Sequence, residues 1–178
     1  PDGKDLGRIG IEIAPSNPQV LYILLDNETL RPGDPQSRDS RPQPIRGEVY
    51  RSEDRGESWI KVNTGELGTT IGYDWNLMKV CPDNENEIYV AGNRFLMSKD
   101  GGKTYAQIGG TIVPLLYKDK REFPLDHHAL WIDPANPDRI LLGTDHGLYV
   151  SYDRTKTWLL NNNLPITEFY AVAVDGEK

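Results

Sequence analysis

The chain has 178 residues, 37% hydrophobic and 26% charged, the size and make-up of one ordinary folded domain and too apolar for a disordered tract. No apolar run approaches the roughly 20 residues of a membrane helix, and the opening Pro1-Asp2-Gly3-Lys4-Asp5 is not a signal peptide. Twenty Lys and Arg against 27 Asp and Glu leave a net charge of −7, which repels a phosphate backbone and sets nucleic acid aside as a partner.

In chain order, strand-forming runs alternate with Pro, Asn and Gly turns. The run Ile9-Gly10-Ile11-Glu12-Ile13-Ala14 meets the turn Pro15-Ser16-Asn17-Pro18, then the second run Val20-Leu21-Tyr22-Ile23-Leu24. The same order returns at Asn76–Cys81, Pro82–Glu85 and Glu87–Ala91, and again at His128–Asp133, Pro134–Pro137 and Arg139–Gly143. After each pair comes a second hairpin, Val49–Trp59, Phe95–Tyr105 and Leu148–Trp158, so each unit holds four strands. Aspartates at positions 54, 100 and 153 mark intervals of 46 and 53 residues, the length of a four-stranded propeller blade. The prediction is an all-β, partial β-propeller over residues 1–178. Its blades span 7–63, 73–109 and 125–162, and a fourth copy starts at 166–178 with the inner strand Phe169–Val174.

The second hairpins carry a motif. It comprises Ser52, Asp54, Gly56, Ser58 and Trp59; then Ser98, Asp100, Gly102, Thr104 and Tyr105; then Ser151, Asp153, Thr157 and Trp158. It resembles the Asp-box, or bacterial neuraminidase repeat, Ser-x-Asp-x-Gly-x-Thr-Trp, with Ser58, Tyr105 and Thr155 as departures. The three copies in register resemble the sortilin-like and sialidase-like propellers, often labelled glycosyl hydrolases. The physical roles are structural: a short aspartate accepts turn N–H groups, glycine takes a positive φ, and the aromatic closes the hairpin. Thr155, in the glycine's place, is expected to cost about 1 kcal/mol.

Alternating strand direction puts all three aspartate turns on one end of the blades, Y, and the connections Asn27–Arg46, Asn63–Tyr73 and Gly109–Asp126 on the other, X. X is therefore the expected binding end. Its first loop holds Arg31, Arg38, Arg41 and Arg46 against two aspartates; arginine forks suit the carboxylates of acidic sugars or peptide termini, and a solvated, proline-stiffened loop is the alternative. Counting back from the aligned prolines, Arg8, Trp75, His127 and Phe169 correspond, preceded by Gly7, Asp74, Asp126 and Glu168. This acidic and aromatic ring would offer sugar rings a flat apolar face and hydroxyl acceptors, or Trp75 and Phe169 would seal neighbouring blades.

His127, His128 and His146 also fall on X. Neighbouring strand residues point to opposite faces, so His127 and His128 do not share an ion. No metal site and no cofactor are predicted, and Cys81, alone, offers no disulfide and leaves the compartment open.

Two functions remain open. One is a binding module for a glycan, a peptide or a partner protein, as the sortilin-like resemblance implies, together with a secreted, periplasmic or cell-surface setting. The other is a glycoside hydrolase using Asp74 and Asp126 as paired carboxylates. The resemblance to sialidases lacks their arginine motif, and xyloglucan-cleaving propellers, which share the repeat, work between two propellers. Three blades do not close a ring, so further blades or a second copy are the expected partners.

Overall fold

A computed structural model describes residues 5–31, 42–67, 76–108 and 126–161, and the backbone path of 111–114. All regular structure there is strand. In chain order the strands are β1 (Leu6–Ile13), β2 (Leu21–Arg31), β3 (Gln43–Ser52), β4 (Ile60–Lys61), β5 (Leu77–Cys81), β6 (Asn84–Ala91), β7 (Phe95–Ser98), β8 (Ala106–Gln107), β9 (Thr111–Pro114), β10 (His127–Ile132), β11 (Ile140–Thr144), β12 (Gly147–Ser151) and β13 (Thr157–Asn161). They form three antiparallel sheets, ordered β1-β2-β3-β4, β5-β6-β7-β8 and β10-β11-β12-β13, each in sequence order, as in propeller blades. No helix among the described residues is long and apolar enough to cross a membrane.

Two features depart from the sequence reading. β9, placed in a connecting loop, adds a fifth strand parallel to β13, pairing Thr111 with Thr157 and Leu159 with Val113. The two ends of the supposed loop from Asn27 to Arg46 are strand: β2 runs on through Arg31, β3 begins at Gln43, and the ladder reaches Arg31 opposite Gln43. Polar residues such as Glu28 and Thr29 carry the strand beyond its apolar stretch because the cross-strand ladder satisfies their backbone.

Period-2 alternation decides what each sheet buries. Tyr22, Leu24 and Val49 of the first blade meet Val80, Ile88 and Val90 of the second in one core. The other face of the second blade, with Tyr89, Ala91 and Phe95, meets Leu130, Ile140 and Trp158 of the third in another. The three blades therefore stack in sequence order, and Phe95 contacts Trp158 edge-on at 6.1 Å between centroids.

The repeat is exact at the turns of end Y. The residue after each motif aspartate donates its backbone N–H to the first turn of its own blade: Arg55 to the Gln19 carbonyl, Gly101 to Asn86 and Arg154 to Asp138, each at 3.0 Å. The second blade tightens this first turn, with β6 starting already at Asn84 and Cys81 pairing with it.

Candidate functional site

The serine–aspartate turns are self-contained. In the second blade, the Asp100 carboxylate accepts bonds from Thr104 Oγ1 at 2.6 Å, Thr104 N at 2.9 Å, Lys103 N at 3.0 Å and Ser98 Oγ at 2.8 Å, while Ser98 Oγ accepts from Gly102 N. Asp54 and Asp153 repeat the pattern with Ser58 and Thr157. Donors from the Ser58 and Thr104 side chains hold Asp54 and Asp100 down to about 2. At Asp153 partial desolvation opposes the effect, and the Thr157 and Ser151 bonds outweigh it to lower the value. These carboxylates spend their hydrogen-bonding capacity on their own turn.

Each turn contains two consecutive left-handed residues: Arg55 and Gly56, Gly101 and Gly102, Arg154 and Thr155. Thr155 does take the glycine's conformation, with φ of 72°. The motif aromatics lie at different depths. Trp59 is half-buried and donates its indole N–H to the Gly56 carbonyl at 2.9 Å, whereas Trp158 is wholly buried between blades.

Arginines clamp the blades together on Y. Arg51 of the first blade donates to Tyr22 Oη at 2.7 Å and to Asn86 Oδ1 of the second at 2.6 Å, and its guanidinium lies over the Tyr22 ring. Burial pushes the Tyr22 hydroxyl up to about 12, against the lowering effect of Arg51. Arg154 of the third blade reaches back to Asp83 at 2.7 Å and Glu87 at 3.6 Å of the second, and holds Asp138 of its own blade at 3.0 Å. Cys81 is buried beside Asp83, to which its thiol donates at 3.1 Å, and burial raises it to about 12, so it is an inert core thiol.

Only some of the residues predicted for end X are described. Arg38, Arg41, Asp74, Trp75, Glu168 and Phe169 lie outside the described residues, so the Asp74–Asp126 separation is not defined. Arg8 is exposed on β1 and Arg31 pairs with Glu66 at the end of β2. Asp126 sits just before β10 with φ of 59° and donates its N–H to the Asn93 carbonyl. His127 is fully buried, with Nδ1 2.9 Å from the Gly92 carbonyl and its ring 5.6 Å from that of Phe95. It packs in the core between blades, against Phe95. His128 points the other way and meets Asp145 at 2.8 Å, while His146 is exposed in the next turn. The two neighbours thus diverge, and among the described residues no group of three metal-ligating side chains converges.

One group on X was not singled out from the sequence. Asp26, near the X end of β2, is 3% exposed; its Oδ1 lies 3.7 Å from Arg46 Nη1 and has no hydrogen-bond partner among the described residues. Arg46, at φ of 68°, instead donates to Glu28 at 2.6 Å. Burial, then the neighbouring Glu28, raises Asp26 to about 6, against the opposing pull of Arg46. The available signal was an acid directly continuing the apolar run Leu21–Leu25, hidden by reading the strand as ending there.

No family profile matches the chain, and no curated protein matches it. Solved structures do. A GH74 enzyme of Niastella koreensis superposes with a TM-score of 0.61 at 14% identity, covering 89% of this chain and 23% of that one. A GH74 xyloglucanase from Xanthomonas campestris gives 0.55 at 17% identity, covering 88% and 23%. The chain therefore spans less than a quarter of either. At these identities the likeness is one of fold: the chain is a partial β-propeller.

Proposed function

We propose that this chain is part of a ligand-binding propeller of the Asp-box, sortilin-like type, and that it engages a glycan, a peptide or a partner protein through end X. The observation that carries the reading is the division of labour between the two ends. On Y the polar side chains of the turns are consumed by their own turns and by the interblade arginine clamps. On X end the strands that lead into the connections 32–42 and 62–76, and there a buried carboxyl of raised affinity for protons lies beside Arg46. Loops on a rigid scaffold, with charge held at their roots, are where ligands are taken up. Arg8, Arg31, Arg38, Arg41, Trp75, His128, His146, Glu168 and Phe169 are the proposed contacts, and the setting is secreted, periplasmic or cell-surface.

The second reading is a glycoside hydrolase. It is favoured by the fold likeness to GH74 enzymes, with Asp126 and Asp74 as the proposed carboxylate pair. One experiment separates the two: a glycan and peptide array probed with the chain, followed by hydrolysis assays on each hit and on xyloglucan. Binding without turnover, lost in Trp75→Ala or in the Arg38→Ala, Arg41→Ala pair with the fold intact, supports the binding module. Turnover abolished by Asp126→Asn supports the hydrolase, and a footprint confined to the Asp54, Asp100 and Asp153 turns refutes both.

A further inference from the structure

The internal repeat indicates what belongs on the outward face of the first blade, which is bare among the described residues. The second blade presents Met78, Val80, Ile88, Val90 and Leu96 to the first blade. The third presents Leu130, Ile132, Ile140, Leu142 and Tyr149 to the second. The aligned residues of the first blade are Ile11, Ile13, Leu21, Ile23 and Tyr50, joined through Ile11↔Ile23, Ile13↔Leu21 and Ile23↔Tyr50 into one face. Among the described residues that face has no neighbour: Ile9, Ile11 and Ile13 are 56, 60 and 54% exposed, although they occupy an inner strand. A contiguous apolar sheet face of this kind is an interaction surface.

A second feature of the same blade specifies the chemistry of the occupant. Arg154, directly after the third motif aspartate, reaches back to Asp83 in the first turn and to Glu87 on β6 of the preceding blade. Its counterpart in the first blade is Arg55, directly after Asp54, held in the same left-handed conformation at φ of 64° against 54° for Arg154. Arg55 is exposed and makes no ion pair among the described residues.

We propose that the outward face of the first blade, Ile11, Ile13 and Ile23 with Arg55, is the seat of a further four-stranded blade of the same repeat that carries carboxylates in its first turn and at the start of its second strand, at the positions of Asp83 and Glu87. The third blade of a second copy does not meet this requirement, because those positions are Ala135 and Arg139; Arg139 would face Arg55 with like charge. The second blade does meet it, which makes its sequence the probe.

The test has two arms. In the first, Ile11→Lys with Ile13→Lys is made in the 178-residue chain. A bare seat tolerates the change: the denaturation midpoint holds, binding of an apolar dye falls, and sedimentation shows a monomer before and after. Unfolding of the variant, or a dimer of the parent chain that the lysines dissociate, overturns the proposal, since the face would then be a covered core or the seat of a second copy. In the second arm, a copy of residues 68–108 is fused ahead of Asp5, and in a parallel fusion a copy of 126–161. Hydrogen exchange of the β1 amides is expected to slow in the first fusion more than in the second, and Arg55→Glu is expected to reverse the gain. Equal protection by both fusions, or by neither, overturns the requirement for carboxylates.

Discussion

Asp26→Asn is the perturbation most directly tied to the physics of end X. The wild-type carboxyl is almost wholly buried, its Oδ1 has no hydrogen-bond donor among the described residues, and Arg46 at 3.7 Å is turned towards Glu28. Moving it from the ordinary aspartate value near 4 to about 6 corresponds to about 3 kcal/mol, at about 1.4 kcal/mol per pH unit. The sign follows from proton linkage. A carboxyl raised in the folded state is bound by a proton more tightly there than in the unfolded chain, so its stabilising effect is complete below about pH 4 and is lost as the pH rises through about 6. Asparagine, uncharged throughout, removes that dependence. In urea titrations at successive pH values, the variant is expected to match the wild type near pH 4, to gain progressively on it between pH 4 and 6, and to hold an advantage of about 2–3 kcal/mol above that. The difference between the two proteins cancels the other carboxylates, which titrate in both. A variant of equal or lower stability at pH 7.5, or a difference that does not grow between pH 4 and 6, would refute the assignment of Asp26 as a desolvated acid.

Three other changes test the scaffold. Gly101→Ala places a Cβ 2.5 Å from Arg51 Nη1 on a backbone at φ of 72°, and is expected to lower stability by about 1–2 kcal/mol by the left-handed strain alone, with further loss if the clamp on Asn86 opens; an unchanged urea midpoint argues against the clamp. Asp100→Ala removes the acceptor of two backbone N–H groups and two hydroxyls, at an expected cost of about 1–3 kcal/mol, whereas the neighbouring Lys99→Ala is expected to be neutral; equal midpoints for the two variants reject the structural role. Thr155→Gly frees a β-branched residue from φ of 72° and is expected to gain up to about 1 kcal/mol, while Gly102→Thr, whose Cβ would meet Val62 Cγ2 at 3.0 Å, is expected to lose stability; the same sign for both would show that the turn does not prefer glycine.

The blades were legible in the sequence because two independent signals coincide in each unit. Alternating apolar runs gave the strands, and the Ser52–Asp54, Ser98–Asp100 and Ser151–Asp153 spacings fixed which hairpin was which. Local hydrogen bonding within five residues makes such turns readable, since the partner of each group is encoded beside it. β9 was not legible for the converse reason: its partner β13 lies more than 40 positions later, and a short parallel edge strand is stabilised by a ladder that no local pattern announces. The polar continuation of β2 through Asp26–Arg31 failed likewise, because cross-strand pairing overrides the poor strand propensity of Asp, Asn and Glu.

The candidate site divides along the same line. His127 and His128 were expected together on X, and their divergence followed from alternation, but which of them would be buried depended on Phe95 and Gly92 in another blade. Asp26 shows the stronger form of the problem: its unusual proton affinity comes from what surrounds it across strands, namely the burial of a carboxyl beside Glu28 with Arg46 committed elsewhere. Residues whose chemistry is set by their own turn, as at Asp100, have little left to offer a ligand, because the turn has already used their hydrogen-bonding capacity. Residues whose capacity is left unspent, as at Asp26, acquire their properties only through the assembled sheet. That asymmetry is the reason the proposed contacts are sought at end X even though nearly every motif the sequence displays stands at end Y.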